Sequence, residues 1–308
     1  MAGAGAWYST FARGGDRGPR GHRLHPMWQN WTAPLVARPF SLVLAGAVVA
    51  ASWAWLWTVD STWNPLAFTT LWVGAAVVMY RLGPLGYPGV RVHALLAASS
   101  IPLWWWFELA NARVENWTYL GAKQYETVAY VVLTSIAFST VVPALHSAWR
   151  LTGARSAPPM ATPPARGART RLAAFGAAAL AMQALVIVWP TVFYPLVWVA
   201  PFVALDAVVH YLTGASLAAD LAARRWGLAF RIAAGGLLCG FLWELWNFRA
   251  SPSWVYDVPG FDWGHVFAMP IAGYGGYVPF VLSVYQLVQL GRLALPGRTG
   301  ALAAAGID

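Results

Sequence analysis

Eight apolar runs, each near the roughly 20 residues that one bilayer crossing needs, divide the chain at 40–59, 65–82, 92–112, 127–148, 172–190, 194–214, 228–248 and 268–291. Polar and charged residues collect between them. The pattern predicts an all-α fold, a polytopic integral membrane bundle of about eight transmembrane helices. Two of the runs end alike. Glu108, Leu109, Asn111 and Arg113, then Trp117 and Tyr119, recur in order as Glu244, Leu245, Asn247, Arg249, Trp254 and Tyr256, with one residue inserted before the second Trp. A pattern this rich in uncommon residue types reads as two tandem copies of one unit, four spans each. An even number of spans per copy makes the two copies run in the same direction, as parallel repeats about an axis along the membrane normal.

Composition agrees with this pattern. The 308 residues are 59% hydrophobic and 10% charged, with 20 Trp, and the mean hydropathy is +0.53, outside the ordinary soluble range. The formal charge of +9 would point to nucleic acid in a soluble chain, but here the basic residues lie between apolar runs, so topology explains them and nucleic-acid binding is excluded. The single cysteine, Cys239, excludes an internal disulfide. Lys and Arg sort to one side: Arg81, Arg150, Arg171, Arg231 and Arg292 fall with the N-terminus, and Arg113, Lys123 and Arg249 opposite. Both termini are therefore expected in the cytoplasm of a cell with this protein in its inner, plasma membrane.

The expected organisation is a basic N-terminal extension over 1–38 with an interfacial segment at Trp28, Trp31 and Pro34, a first repeat over 39–150, and a Pro- and Arg-rich linker over 151–171. A second repeat covers 172–292 and a cytoplasmic tail 293–308. The aromatic, Gly- and Pro-rich stretch from Trp254 to Phe280 is expected to pack as an ordered interfacial lid.

Acidic residues take the side that the basic ones avoid. Glu244 and Asn247 are three apart on a helix and share a face, as do Glu108 and Asn111. Arg113 and Arg249 lie five positions beyond each Glu, near the headgroups or folded back toward the acid. Glu, Asn and Arg can lock two helix ends structurally, but polar groups kept at membrane depth mark functional sites by default. Asp206 and His210, four apart in the sixth span, share a face and suit a base or proton relay. Counted from Pro65 and Pro195, the first copy has Ala76 and Tyr80 there. No metal site is expected, because His210, Asp206, His265 and Glu244 follow no ligand spacing, and neither a cofactor fingerprint nor a phosphate loop is present.

A carboxyl among aromatic rings suits a general acid that protonates an alkene, since desolvation favours the neutral form and ring faces stabilise a carbocation. Glu244 lies between Trp243 and Trp246, and Glu108 follows Trp104, Trp105, Trp106 and Phe107. Trp254-Val255-Tyr256, then Met269-Pro270 and Pro279-Phe280, resemble the integral-membrane lycopene cyclase domains, small multi-span modules used in pairs. That resemblance implies carotenoid chemistry, although Met269-Pro270-Ile271-Ala272 carries no acid after the proline, where that family has acids implicated in protonation. The E-L-x-N-x-R helix end with its aromatic loop also resembles uncharacterised bacterial multi-span membrane proteins, a likeness that implies no activity.

The resulting expectation is a membrane enzyme acting on an isoprenoid or other lipid. Glu244 or Glu108 is the acid, and Asp206 and His210 the base or relay. Asn247, Arg249, Asn111, Arg113, Trp254, Tyr256, Trp117, Tyr119, Asp257 and His265 are candidates for orienting or binding substrate. A small-solute permease and a non-catalytic subunit that docks a membrane-protein partner through its aromatic loops are the alternatives.

Overall fold

A computed structural model of the chain describes residues 37–155 and 161–294. The expected N-terminal extension, its interfacial tryptophans, part of the linker and the tail lie outside those residues. The described chain is mostly helical, in the order α1 (Ala37–Thr58), α2 (Asn64–Leu82), α3 (Val90–Val114), β1 (Trp117–Leu120), α4 (Thr127–Phe138), α5 (Val141–Leu151), α6 (Ala168–Val188), α7 (Pro190–Phe193), α8 (Leu196–Thr213), α9 (Leu217–Ala222), α10 (Gly227–Asn247), β2 (Ser253–Tyr256), β3 (His265–Val266), β4 (Met269–Pro270) and α11 (Tyr277–Leu293).

Among the described residues, seven helical segments are long and apolar enough to cross a membrane, with α4 and α5 forming one of them. The third expected span differs: α3 has 25 residues, long enough to cross, but is not among the seven. Its polar residues, Arg91, His93, Ser99, Ser100, Glu108, Asn111 and Arg113, dilute its apolarity. The fourth expected span is broken. Ser139 and Thr140 separate α4 from α5, and Pro143 has no N–H with which to continue the ladder. The Ser100 hydroxyl fills in by donating to the Phe138 carbonyl and accepting from the Val142 N–H.

Helix packing follows the same scheme twice. α1 packs on α2 as α6 packs on α8, and α2 and α3 both pack on α5 as α8 and α10 both pack on α11. The arrangements meet where α5 packs on α10. α1 and α6 stand outermost, with only 11% of their apolar windows buried against protein.

Loops gather at two ends. At one, Gly83 lies against α5, and Arg231 and Thr152 join α10 to α5 through each other's carbonyls. At the other, β1 and β2 pair antiparallel, with Trp117 opposite Tyr256 and Tyr119 opposite Trp254. The expected lid is ordered there as the β3–β4 hairpin and a 3-10 turn, Ile271–Gly276.

Candidate functional site

The two helix ends that carry the repeated motif fold alike. Asn111 closes the α3–β1 turn by donating Nδ2–H to the Trp117 carbonyl (2.7 Å) while its Oδ1 accepts the Trp117 N–H (3.2 Å). Asn247 does the same between α10 and β2, donating to the Trp254 carbonyl (2.7 Å) and accepting from the Trp254 N–H (2.8 Å). Each Asn satisfies the backbone N–H and C=O of the strand's Trp, and each turn delivers Trp and Tyr side chains over the preceding Glu.

Glu108 Oε1 accepts from Tyr119 Oη at 2.6 Å, Trp104 Nε1 at 2.8 Å and Trp117 Nε1 at 3.2 Å. Glu244 Oε1 accepts from Tyr256 Oη at 2.6 Å, Tyr277 Oη at 2.9 Å and Trp254 Nε1 at 3.4 Å. Glu244 is fully buried, and its Oε2 has no hydrogen-bond partner among the described residues. Burial, with Glu108 next to it, pushes the Tyr119 phenol well above the ordinary tyrosine value; burial, with Tyr277 and Glu244 beside it, does the same to Tyr256. Both phenols therefore stay protonated and donate.

These aromatic residues wall a cavity of about 540 Å³ between the two arrangements. Trp104, Trp117, Tyr119 and Phe138 come from one side, and Trp198, Trp254, Tyr256, Tyr277 and Phe280 from the other. Phe107, behind the lining, stacks on the wall residue Trp198 at 4.9 Å and joins the two walls. Among the described residues, no charged one lines the cavity. Its amides are committed elsewhere: Asn64 to Trp55, Val59 and Ser251, and Asn116 to the Asp257 carbonyl. Glu108 and Glu244 stand one layer behind the wall, reached from the cavity through phenols. Among the described residues, no three His, Cys, Asp or Glu side chains gather closely enough to hold a metal ion.

No family model matches the chain, and neither a curated protein nor a solved structure matches it.

The other candidates lie apart from the cavity wall. Arg113 and Arg249 do not fold back on the acids. Arg113 Nε donates to the Ile187 carbonyl at the end of α6 (2.8 Å), and the Arg249 guanidinium sits over Trp57 at the end of α1 (5.5 Å). Each thus braces the outer helix of the opposite arrangement. Asp206 and His210 do not touch as a relay. Asp206 is buried and accepts from Ser216 Oγ (2.6 Å), the Leu217 N–H (2.8 Å) and Gln286 Nε2. His210 pairs through Nδ1 with the Gly214 carbonyl (3.1 Å) and through Nε2 with Arg171 (3.5 Å), so both side chains secure the α8–α9 corner. Counted from the two glutamates, Gln286 stands where Arg150 does, and Arg150 clamps the carbonyls of Leu85 and Gly86 directly. The first arrangement holds its corner with an arginine; the second uses Gln286 through Asp206. His265 pairs with Asp262 at 3.0 Å on an exposed turn, and Asp257 is exposed.

Tyr277 was not legible as a site residue in the motif, because it lies 33 positions beyond Glu244. Its signal is Gly240, where a Cβ would come within 2.4 Å of the Tyr277 ring.

Proposed function

We propose that the aromatic cavity binds the hydrocarbon body of an isoprenoid or other lipid within the membrane. The observation that carries this reading is the cavity itself: about 540 Å³, walled by Trp, Tyr and Phe, with no charged side chain among the described residues that line it. Concave, mostly apolar pockets with a few placed polar groups are the usual form of a ligand site. A permease for a polar solute needs polar groups along its path, so the lining favours a lipid.

A second reading, acid catalysis on that ligand, is favoured by Tyr256 and Tyr277, which line the cavity and donate to Glu244, a carboxyl with one oxygen unpartnered. The likeness to lycopene cyclase domains belongs with this second reading. Docking of a membrane-protein partner is supported by nothing comparable.

The architecture belongs to the same proposal: two four-helix repeats in parallel, α3 as the eighth crossing, and both termini in the cytoplasm of a plasma-membrane protein. Antiparallel pairing of β1 with β2 is what a two-fold axis along the membrane normal produces. Labelling Thr118→Cys and Ala215→Cys in intact cells with an impermeant maleimide tests it. Reaction of the second and not the first would refute the orientation.

Mass spectrometry of organic extracts tests the ligand. Gly275, an exposed residue, lines the cavity with open space around an added Cβ, so Gly275→Phe places bulk at its rim. A specific lipid retained by the wild type and lost from Gly275→Phe is the expected result. Bulk lipid only, alike in both proteins, would sink the reading.

A further inference from the structure

The two arrangements differ at one coupled pair of positions beside the carboxyls. Four residues before Glu108 stands Trp104, and four before Glu244 stands Gly240; counted forward, Val141 occupies the place of Tyr277. Bare backbone at Gly240 admits the Tyr277 phenol, whose ring stacks on Trp243 (5.9 Å, 17° between planes). In the first arrangement the Trp104 indole donates to Glu108 instead, and the short Val141 is buried. A third donor reaches each carboxyl, but its chemistry has changed. An indole N–H only donates, whereas a phenol O–H both donates and accepts; the phenols the two sites share, Tyr119 and Tyr256, already accept Trp104 Nε1 (3.5 Å) and Trp254 Nε1 (2.7 Å), which leaves Tyr277 as the added phenol that can pass a proton on. Glu108 receives two indoles and one phenol. Glu244 receives two phenols, with its one indole at 3.4 Å. The buried Oε2 of Glu244 has no hydrogen-bond partner among the described residues, and a charge there would stand uncompensated, so that oxygen is where a proton is best held.

Resting on the reading of the cavity as a lipid site, we propose that Glu244 is the proton-exchanging carboxyl of the pair, that the Tyr277 hydroxyl is the step between it and the cavity, and that Glu108 is the fixed structural counterpart. The carboxyl turns its protonated oxygen to the phenol. Its proton passes to the Tyr277 oxygen as the phenol's own proton leaves to water in the cavity, and the reverse transfer restores both groups. Tyr277 is neutral before and after.

Infrared spectroscopy of the purified full-length protein in an ester-free detergent, followed on transfer to D2O, tests this through the carboxylic C=O band. The band is expected in the wild type, absent in Glu244→Gln and kept in Glu108→Gln. Its exchange should slow about a hundredfold in Tyr277→Phe, the low end of what a positioned proton carrier contributes. It should slow equally in Gly240→Trp/Tyr277→Val, which grafts the first arrangement onto the second. If Glu244→Gln does not fold, Tyr277→Phe, lacking only a hydroxyl, still decides. A wild type without the band, a band lost in Glu108→Gln only, or exchange indifferent to Tyr277 would overturn the proposal. Lipid extracts of the same samples separate the two ideas. Exchange indifferent to Tyr277 with lipid retained overturns the relay alone, and Tyr277-dependent exchange without lipid upholds the relay and overturns the lipid reading.

Discussion

Gly240→Ala should destabilise the protein, the reverse of the sign that helix propensity gives. Within a helix, Gly to Ala ordinarily gains about 1 kcal/mol. At position 240 the added methyl would lie 2.4 and 2.5 Å from two carbons of the Tyr277 ring. That ring has little room to move, being stacked on Trp243 and held by its hydroxyl to Glu244. Overpacking of this kind takes away about 2–3 kcal/mol, the upper part of its usual range, so the net loss is about 1–2 kcal/mol. In a Tyr277→Val background the ring is gone and the same Gly240→Ala change should gain about 1 kcal/mol, a coupling of about 2–3 kcal/mol between the two sites. Unfolding of the four proteins in mixed dodecyl maltoside and SDS micelles, followed by tryptophan fluorescence, measures the cycle. Gly235→Ala is the control. Its Cβ would meet the backbone of Trp149 and Ala148 at 2.6–2.8 Å, so it should be destabilising in both backgrounds alike. A Gly240→Ala protein more stable than the wild type, or no coupling to Tyr277, would refute the steric argument.

Asn247→Ala leaves the Trp254 N–H and carbonyl without their partner, and a loss of about 2–4 kcal/mol is expected in the same unfolding assay, with Asn111→Ala close to it. Asp206→Ala strands the Leu217 N–H and the Gln286 amide; it should lower stability by about 2–4 kcal/mol yet leave lipid retention in the extract assay unchanged, whereas a lost ligand would return Asp206 to the site. Tyr119 and Tyr256 have phenols raised above the ordinary value of 10.0, so folding holds their protons more tightly than unfolding does. Their contribution is fully present below pH 10 and falls above it, by about 1.4 kcal/mol per pH unit for each. Unfolding measured between pH 9 and 11 should show that slope, and Tyr256→Phe should reduce it by one tyrosine's share, about 1.4 kcal/mol per pH unit above pH 10.

Seven of the eight expected spans were legible because a bilayer imposes length and apolarity on a crossing, and helix boundaries such as Asn64–Leu82 and Gly227–Asn247 fall within a residue or two of the apolar runs. The α4–α5 break was not, since Thr127–Leu151 is continuously apolar and the Ser100 hydroxyl that stabilises the break comes from another helix. Pairing of β1 with β2 was hidden for a similar reason. Strands of four residues carry little periodicity, and Trp117 and Tyr256 are far apart in sequence. The Glu–Asn–Trp–Tyr cluster was legible as a pattern because all its members lie within a dozen residues of the Glu; only geometry tells which oxygen each donor reaches.

Asp206 is the instructive case. Set against Ala76, it looks like a titratable group gained for chemistry. Set against the pair Ala76 and Arg150, it is half of an exchange: Asp206 and Gln286 hold one corner as Arg150 alone holds the other. Gly240 and Tyr277 stand to Trp104 and Val141 in the same relation, but there the exchange alters what the donor can do. A compensated pair that keeps both contact and chemistry marks scaffold. One that keeps the contact and replaces an indole with a phenol changes the path open to a proton, and that difference singles out Glu244 over Glu108.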